Sequence, residues 1–259
     1  MPIGICKLCL MQKDLQDSHL LPAAMYKYIR VPLKRNPNPV IVGRKVTATS
    51  SRQVTDYLLC AECEELFNKN GEGETLRWVW NGKNFPLGDR LAVAHQHYTF
   101  KEFLAFSGTA VGIDTIKLGY FAVSVVWRAA VHQWDTPFGG KTTALNLGAL
   151  EEPIRQYLHG DAPLPNDVVI VVTSCTDSAS GGSFYVPSRV PQVPITCFGM
   201  LTLGVYFRVF VGPNIPTNIR DLCCVRSPQR FIFQRDCSEK TFEAFAQIMT
   251  TSKTSNKMP

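Results

Sequence analysis

CKLCLMQKDLQDSHLLPAAMYKYI, residues 6–29, and LLCAECEELF, residues 58–67, each contain one C-x-x-C pair. Two thiolates separated by two residues can bind one ion from a tight turn, and four thiolates complete a tetrahedral zinc site without an open position. The two pairs therefore predict a structural Zn²⁺ site with the ligands Cys6, Cys9, Cys60 and Cys63. Because 50 residues separate the two pairs, we expect metal binding to drive the folding of this segment, and not merely to add an ion to a segment that is already folded. The alternative is that these cysteines are small buried hydrophobic residues.

The other cysteines indicate a reduced, cytoplasmic protein. The chain has nine cysteines, an odd number, and its N-terminus lacks a charged segment followed by a long apolar run. Its most apolar stretch, residues 195–207, has 13 residues, whereas a membrane helix needs about 20. We therefore expect no membrane partner, and we expect core thiols at the five positions outside the pairs, which are Cys175, Cys197, Cys223, Cys224 and Cys237.

Positive charge is concentrated at the N-terminus. Residues 1–50 contain eight Lys or Arg against two acidic residues, and this excess equals the formal net charge of the whole chain, +6. A basic segment beside a zinc module is typical of proteins that bind a polyanion, so residues 27–45 predict a nucleic-acid partner. A solvated, flexible basic arm is the alternative.

The chain as a whole predicts an α+β protein with two parts. Residues 1–75 are expected to form the zinc module, residues 76–249 an α+β domain with an antiparallel sheet, and residues 250–259 a disordered tail. Helices are predicted from Pro22 to about Arg30 and at 98–110, 114–134, 148–161 and 239–249. Strands are predicted at 167–175, 183–189, 195–212 and 230–237.

One charged residue stands out in the predicted helix 114–134. Arg128 lies in a sequence that is apolar on nearly all sides, which predicts that the helix is buried. A buried guanidinium needs a partner, and we expect an internal carboxylate such as Asp114 rather than a bound anion.

The order of motifs in the first 70 residues resembles the zinc-knuckle members of the HNH, or ββα-metal, endonuclease family. The matching elements are C-x-x-C, nine further residues, H-x-x-P and a late C-x-x-C, and they cover about residues 4–70. The resemblance implies a treble-clef, HNH-like module in which the four cysteines hold structural zinc. It also implies that His19 is the general base acting on water, with Mg²⁺ or Mn²⁺ against the scissile phosphate.

The chain departs from the family pattern at the expected positions of the divalent ion. The family places an acidic residue directly before the base histidine, where this chain has Ser18 and, one position earlier, Asp17. Near the last knuckle, Glu64 is better placed than Asn68 or Asn70 as a substitute ligand. The carry-over is therefore His19 as base, with Asp17 and Glu64 as ligands of the divalent ion. The alternative for His19 is a structural role in packing.

Two functions remain open from the sequence. One is a metal-dependent HNH-like endonuclease, in a context of phage defence that rests on the resemblance alone. The other is a catalytically inactive zinc scaffold that binds nucleic acid or a protein partner, which Ser18 in the acidic position favours.

Overall fold

The structure, a computed structural model, describes residues 1–30, 38, 40–42, 46–136, 140–191, 195–237 and 253–254. The strands are β1 Ile3–Ile5, β2 Gln12–His19, β3 Val40–Val42, β4 Val46–Thr49, β5 Thr55–Cys60, β6 Tyr98–Phe100, β7 Phe103–Ser107, β8 Val168–Cys175, β9 Phe184–Arg189, β10 Cys197–Thr202, β11 Val205–Val211, β12 Phe231–Arg235 and β13 Lys253–Thr254. The helices are α1 Ala23–Tyr28, α2 Ala61–Phe67, α3 Gly73–Trp78, α4 Pro86–Ala92, α5 Thr115–Val131, α6 Glu151–His159, α7 Ser178–Gly181 and α8 Thr217–Arg220. A π-helical turn, Asn68–Glu72, joins α2 to α3, and a 3-10 turn, Gly148–Leu150, precedes α6.

The N-terminal part is built on a small antiparallel sheet in the order β1-β2-β5. The first cysteine pair lies in the turn between β1 and β2, and β5 leads directly into α2 with the second pair at that junction. Helix α1 begins immediately after Pro22, whose fixed φ suits the start of a helix, as the sequence predicted. The strands β3 and β4 form a separate small sheet, with β13 parallel to β4.

The larger part contains a seven-stranded sheet in the order β6-β7-β12-β8-β11-β10-β9. All neighbouring pairs are antiparallel except β8 and β12, which run parallel. The predicted strands at 167–175, 183–189 and 230–237 are present, and the stretch 195–212 forms the hairpin β10–β11. Its two-residue turn, Leu203–Gly204, has positive φ at both positions, which suits the twist of the flanking strands. The mixed α+β class is thus confirmed.

The helix predicted at 98–110 is wrong, because this segment forms the hairpin β6–β7. Phe100 pairs with Phe103, and Lys101 between them has a φ of 52°. The aromatic residues of this segment pack on the sheet, where Phe103 and Phe233 have ring centroids 6.3 Å apart. Pairing with β12 therefore overrides the local helical pattern.

Helix α5 crosses the centre of the molecule and is buried along most of its length, as predicted. Its Phe121 ring packs 5.6 Å from Phe207 of the large sheet, and its Trp127 ring packs 6.2 Å from Phe67 of the N-terminal part. One continuous hydrophobic core therefore joins residues of both parts. The division at residue 75 remains a prediction.

Two further expectations concern the C-terminus. The helix expected at 239–249 lies outside the described residues, and so does most of the tail 250–259, of which only Lys253–Thr254 is described.

In the part of the chain that the structure describes, no helix has the length and apolar character needed to cross a membrane.

Candidate metal centre

Four sulfur atoms converge between the β1–β2 turn and the junction of β5 with α2. The Sγ atoms of Cys6, Cys9, Cys60 and Cys63 all lie within 4.8 Å of one another, and those of Cys9 and Cys60 are 3.9 Å apart. Three of these cysteines are buried and Cys9 is half-buried. A tetrahedral zinc ion with four thiolate ligands at about 2.3 Å needs sulfurs at such mutual distances. The cluster can therefore hold a metal ion such as zinc.

Local backbone geometry positions the first pair. The Cys6 N–H donates to the Met11 carbonyl and the Leu10 N–H donates to the Cys6 carbonyl, both at 2.9 Å, which closes a tight turn around Cys9. Leu10 completes this turn with a φ of 61°, in the left-handed region. The turn directs both sulfurs towards the junction of β5 and α2.

Backbone continuity positions the second pair. Cys60 is the last residue of β5, and Cys63 lies in the first turn of α2, so one strand-to-helix junction presents both thiols. The Cys60 N–H also points at the Cys6 sulfur, with a distance of 3.4 Å from nitrogen to sulfur. Such N–H groups favour the thiolate form that metal binding requires.

The thiols interact strongly with one another. A hydrogen bond with Cys63 lowers the pKa of Cys6 to about 4, and the same hydrogen bond raises the pKa of Cys63. Burial raises the pKa of the Cys60 thiol to about 11. A divalent cation at the centre would displace the remaining protons, because its charge stabilises several thiolates at once.

Two cations flank the cluster and offset the negative charge that four thiolates would carry. Lys13 is close enough to Cys9 and Cys60 to interact with their charge and forms a 2.9 Å ion pair with Glu62. Arg155 of α6 interacts with the charge of Cys9 and donates a hydrogen bond to the Leu8 carbonyl inside the first knuckle. The donor set, the N–H···S contact and these cations all fit Zn²⁺ bound by four thiolates.

The proposed general base and divalent-ion ligands lie in elements of the same N-terminal part as the cysteines: Asp17 and His19 are in β2, and Glu64 is in α2. His19 is the last residue of β2 and pairs with Thr55 of β5, while Asp17 pairs with Tyr57. Asp17 is exposed and Ser18 is buried, because successive side chains of a strand point to opposite faces. The Ser18 hydroxyl accepts a 3.1 Å hydrogen bond from the Leu59 N–H, so this residue has a structural role.

Glu64 lies in the first turn of α2 and has an unusual environment. Burial raises the pKa of its carboxyl group, while Arg128, the Ser18 hydroxyl and His19 act in the opposite direction. Its Oε1 atom is buried and has no hydrogen-bond partner among the described residues. His19 and Glu64 are therefore near enough to interact electrostatically. However, among the described residues Asp17, His19 and Glu64 do not bring three ligand atoms within 4.8 Å of one another.

The side chain of Arg128, in α5, is buried next to the end of β2. Its side chain is 1% exposed and forms a 2.7 Å ion pair with Glu72 in the π-helical turn. The partner is thus Glu72 and not Asp114, which instead accepts a 3.1 Å hydrogen bond from the Lys117 N–H at the start of α5. The expectation of an internal carboxylate is confirmed, whereas the choice of Asp114 is wrong because that residue caps the helix.

The two described basic residues of the segment 27–45 are exposed. Lys27 and Arg30 lie on the surface at the end of α1, and Arg30 donates a 3.3 Å hydrogen bond to the Ser51 carbonyl beside the exposed Arg52. A cavity of about 360 Å³ is lined by Arg52, Gln53, Thr55, Asp135 and Thr136. The other basic residues of the segment, Lys34, Arg35, Arg44 and Lys45, lie outside the described residues.

Sequence reasoning missed a second cluster of ligand atoms. Cys175, Asp177 and Cys237 bring two sulfurs and a carboxylate oxygen within 4.8 Å of one another. No spacing signal announces this group, because Cys237 lies 62 positions after Cys175 and only the sheet brings them together.

Comparison with known proteins gives no further identification: no family model, no curated protein and no solved structure matches this chain.

Proposed function

We propose that this chain is a zinc-binding protein whose four-cysteine site orders an N-terminal module that binds the backbone of a nucleic acid. The observation that carries the proposal is the convergence of Cys6, Cys9, Cys60 and Cys63 to within 4.8 Å. Zinc bound by four thiolates has no open coordination position, so its role is structural. The zinc ion holds the turn that contains Cys6 and Cys9 against the junction of β5 and α2.

Surface charge supports the choice of nucleic acid. Lys27, Arg30 and Arg52 are exposed, and the Arg30 side chain reaches the carbonyl of Ser51, the residue next to Arg52. Four further Lys or Arg follow within residues 31–45. Cations grouped in this way attract phosphate groups and release bound counterions on association.

Nucleic-acid binding can be measured directly. Fluorescence anisotropy with labelled duplex DNA and single-stranded RNA, recorded over a series of KCl concentrations, should show affinity that falls steeply with salt. The double variant Lys27→Gln/Arg52→Gln should weaken binding and reduce the salt slope by about two, roughly one per lost phosphate contact. Lys101→Gln, which removes an exposed cation in the turn between β6 and β7 of the large sheet, is the matched control and should bind as the wild type does. Absence of salt-dependent binding would refute a nucleic-acid partner and favour a protein partner. Equal loss in the control would refute the assignment of binding to Lys27 and Arg52.

A second candidate function is metal-dependent phosphodiester hydrolysis. It is favoured by one observation, the buried and unpartnered Oε1 of Glu64 within electrostatic range of His19. His19 would take a proton from water as a general base, and a Mg²⁺ or Mn²⁺ ion on Asp17 and Glu64 would neutralise the developing phosphate charge. Arg128 weighs against this function, because its buried cation already interacts with Glu64 and would repel a divalent ion.

A plasmid-nicking assay with Mg²⁺ or Mn²⁺ separates the two candidates. Metal-dependent cleavage that is lost in His19→Ala and Glu64→Gln, and retained in the exposed control His95→Ala, would support hydrolysis. Salt-sensitive binding without cleavage would support the zinc scaffold alone. Cleavage that persists in His19→Ala would eliminate His19 as the base.

A further inference from the structure

A second group of metal-ligating side chains lies where β8 and β12 of the large sheet end, far in sequence from the two C-x-x-C pairs. The Cys175 and Cys237 sulfurs and a carboxylate oxygen of Asp177 all lie within 4.8 Å of one another. We propose that these three residues bind a second zinc ion, whose fourth position is open to water or to a small anionic ligand. Two thiolates and one carboxylate are ligands that zinc accepts, and three protein ligands with one exchangeable position differ from the closed arrangement of four thiolates.

The parallel strands β8 and β12 create this group. Cys175 ends β8 and lies opposite Arg235, the last residue of β12. The Thr176 N–H donates a 3.0 Å hydrogen bond to the Arg235 carbonyl and continues the pairing beyond the strand ends. Since parallel strands end at the same edge of a sheet, the residues that follow them, Asp177 and Cys237, emerge side by side.

Asp177 is held in place by its own hydrogen bonds. One oxygen, Oδ1, accepts from the Ser180 N–H at 2.8 Å. The other, Oδ2, accepts from the Ser180 hydroxyl at 2.8 Å and from the Cys237 N–H at 3.2 Å. A ligating carboxylate is commonly oriented in this way by surrounding donors, and each oxygen has more than one lone pair. The contact with Cys237 also ties the carboxylate to the residue that supplies the second sulfur.

Burial and charge at the group suit an accessible metal site. Cys175 is 1% exposed, whereas Asp177 and Cys237 are half-buried, so one side of the group faces solvent. The Arg235 guanidinium is close enough to interact with the charge of Cys237. This cation offsets part of the negative charge that two thiolates and a carboxylate would leave around a divalent ion.

The wild-type protein provides the first test. The full chain, purified under reducing conditions without chelators, should contain about two zinc ions, and X-ray absorption should report about three sulfur ligands per zinc on average. A single zinc with four sulfurs would overturn the second site. A Cys175–Cys237 disulfide found by mass spectrometry in this reduced preparation would overturn it too. If the four-cysteine site were the one without zinc, the remaining ion would show about two sulfurs, which distinguishes failure of the second site from failure of the proposed function.

Variants assign the second ion to its residues. Cys237→Ser and Asp177→Asn should each reduce the zinc content by about one ion per chain, while the control Cys197→Ala, a buried cysteine of the same sheet, should retain both. Cys60→Ser should lose the other ion. Unchanged zinc content in Cys237→Ser, or equal loss in Cys197→Ala, would contradict the assignment.

Discussion

The Arg128 guanidinium donates a 2.7 Å hydrogen bond to the backbone carbonyl of His19, across 109 positions of sequence. A second 2.7 Å contact joins it to the Glu72 carboxylate, and its guanidinium carbon lies 5.2 Å from the centre of the Phe67 ring. The cation therefore connects the end of β2 and the π-helical turn to α5. A guanidinium suits this position because its several fixed donors satisfy partners in different directions.

Replacing Arg128 should strongly destabilise the protein. Arg128→Met keeps much of the side-chain volume but leaves Glu72 and the His19 carbonyl without their donor, and the loss should be about 3 kcal/mol of unfolding free energy. Urea denaturation at neutral pH measures this quantity. Arg77→Met is a matched control, because Arg77 is 72% exposed in its ion pair with Glu74 and should change stability by less than about 0.5 kcal/mol. Similar losses in the two variants would show that the buried ion pair has no special role.

The parts of this site that could be predicted are those encoded by local spacing. The C-x-x-C pairs predicted the four converging cysteines because a knuckle is formed within a few residues. Apolar residues on nearly all sides of 114–134 predicted a buried helix for the same local reason. The hairpin at 98–107 was missed, because pairing with β12 rather than local preference determines its structure.

The contacts that escaped prediction depend on the order of the strands. Arg128 reaches Glu72 and not Asp114, because the start of α5 uses Asp114 as its cap while the middle of the helix faces the π-helical turn. Cys175 meets Cys237 only because β12 lies parallel to β8, an exception in a sheet that is otherwise antiparallel. Such pairings join distant positions and leave no periodic signal in the sequence.

The pair of Asp56 and His132 should make stability depend on pH. Their side chains lie 2.7 Å apart and connect β5 to the end of α5. Burial raises the pKa of the Asp56 carboxyl, but hydrogen bonds from His132 and the Tyr57 N–H outweigh this effect and hold the pKa below its usual value of 3.8. A carboxyl whose pKa is lowered on folding contributes stability above its unfolded pKa, and this contribution is lost as the pH falls through the folded value.

Asp56→Asn should therefore cost about 1 kcal/mol at pH 7 and progressively less below about pH 4, where the wild-type carboxyl is itself protonated. Urea denaturation at neutral, mildly acidic and strongly acidic pH measures the difference. Asp14→Asn removes the same charge from an exposed position of the neighbouring strand β2 and serves as the control. A cost that stays constant across this pH range would rule out the ionised carboxyl as its origin.

Leu10 is a position where glycine should stabilise the protein. Its φ of 61° is unfavourable for a residue with a Cβ atom, and its side chain is 53% exposed, so little burial would be lost. Leu10→Gly should remove about 1–2 kcal/mol of strain, offset by about 0.5–1 kcal/mol of additional freedom in the unfolded chain. A small rise in Tm of the zinc-bound protein is the expected result. Leu10→Ala keeps the strain and should not raise Tm, so equal effects of the two variants would show that φ at this position is not strained.

Removal of metal should unfold the knuckle region before the large sheet. Cys9→Ser leaves three sulfurs for the ion, and the strands β2 and β5 then lose the link that closes the 50-residue segment between the pairs. Hydrogen exchange of residues 12–19 and 55–60 should become about 100-fold faster, which corresponds to roughly 3 kcal/mol of local stability.

The large sheet should behave differently, because β8 has its own buried neighbours β11 and β12 and does not need the knuckles to pair. Exchange of residues 168–175 should therefore change much less in Cys9→Ser than exchange of β2 and β5. Cys224→Ala, at a buried cysteine outside both clusters, is the control and should leave exchange at β2 and β5 unaffected. Loss of protection in β8 equal to that in β5 would mean that the single continuous core unfolds as one unit, with zinc supporting all of it.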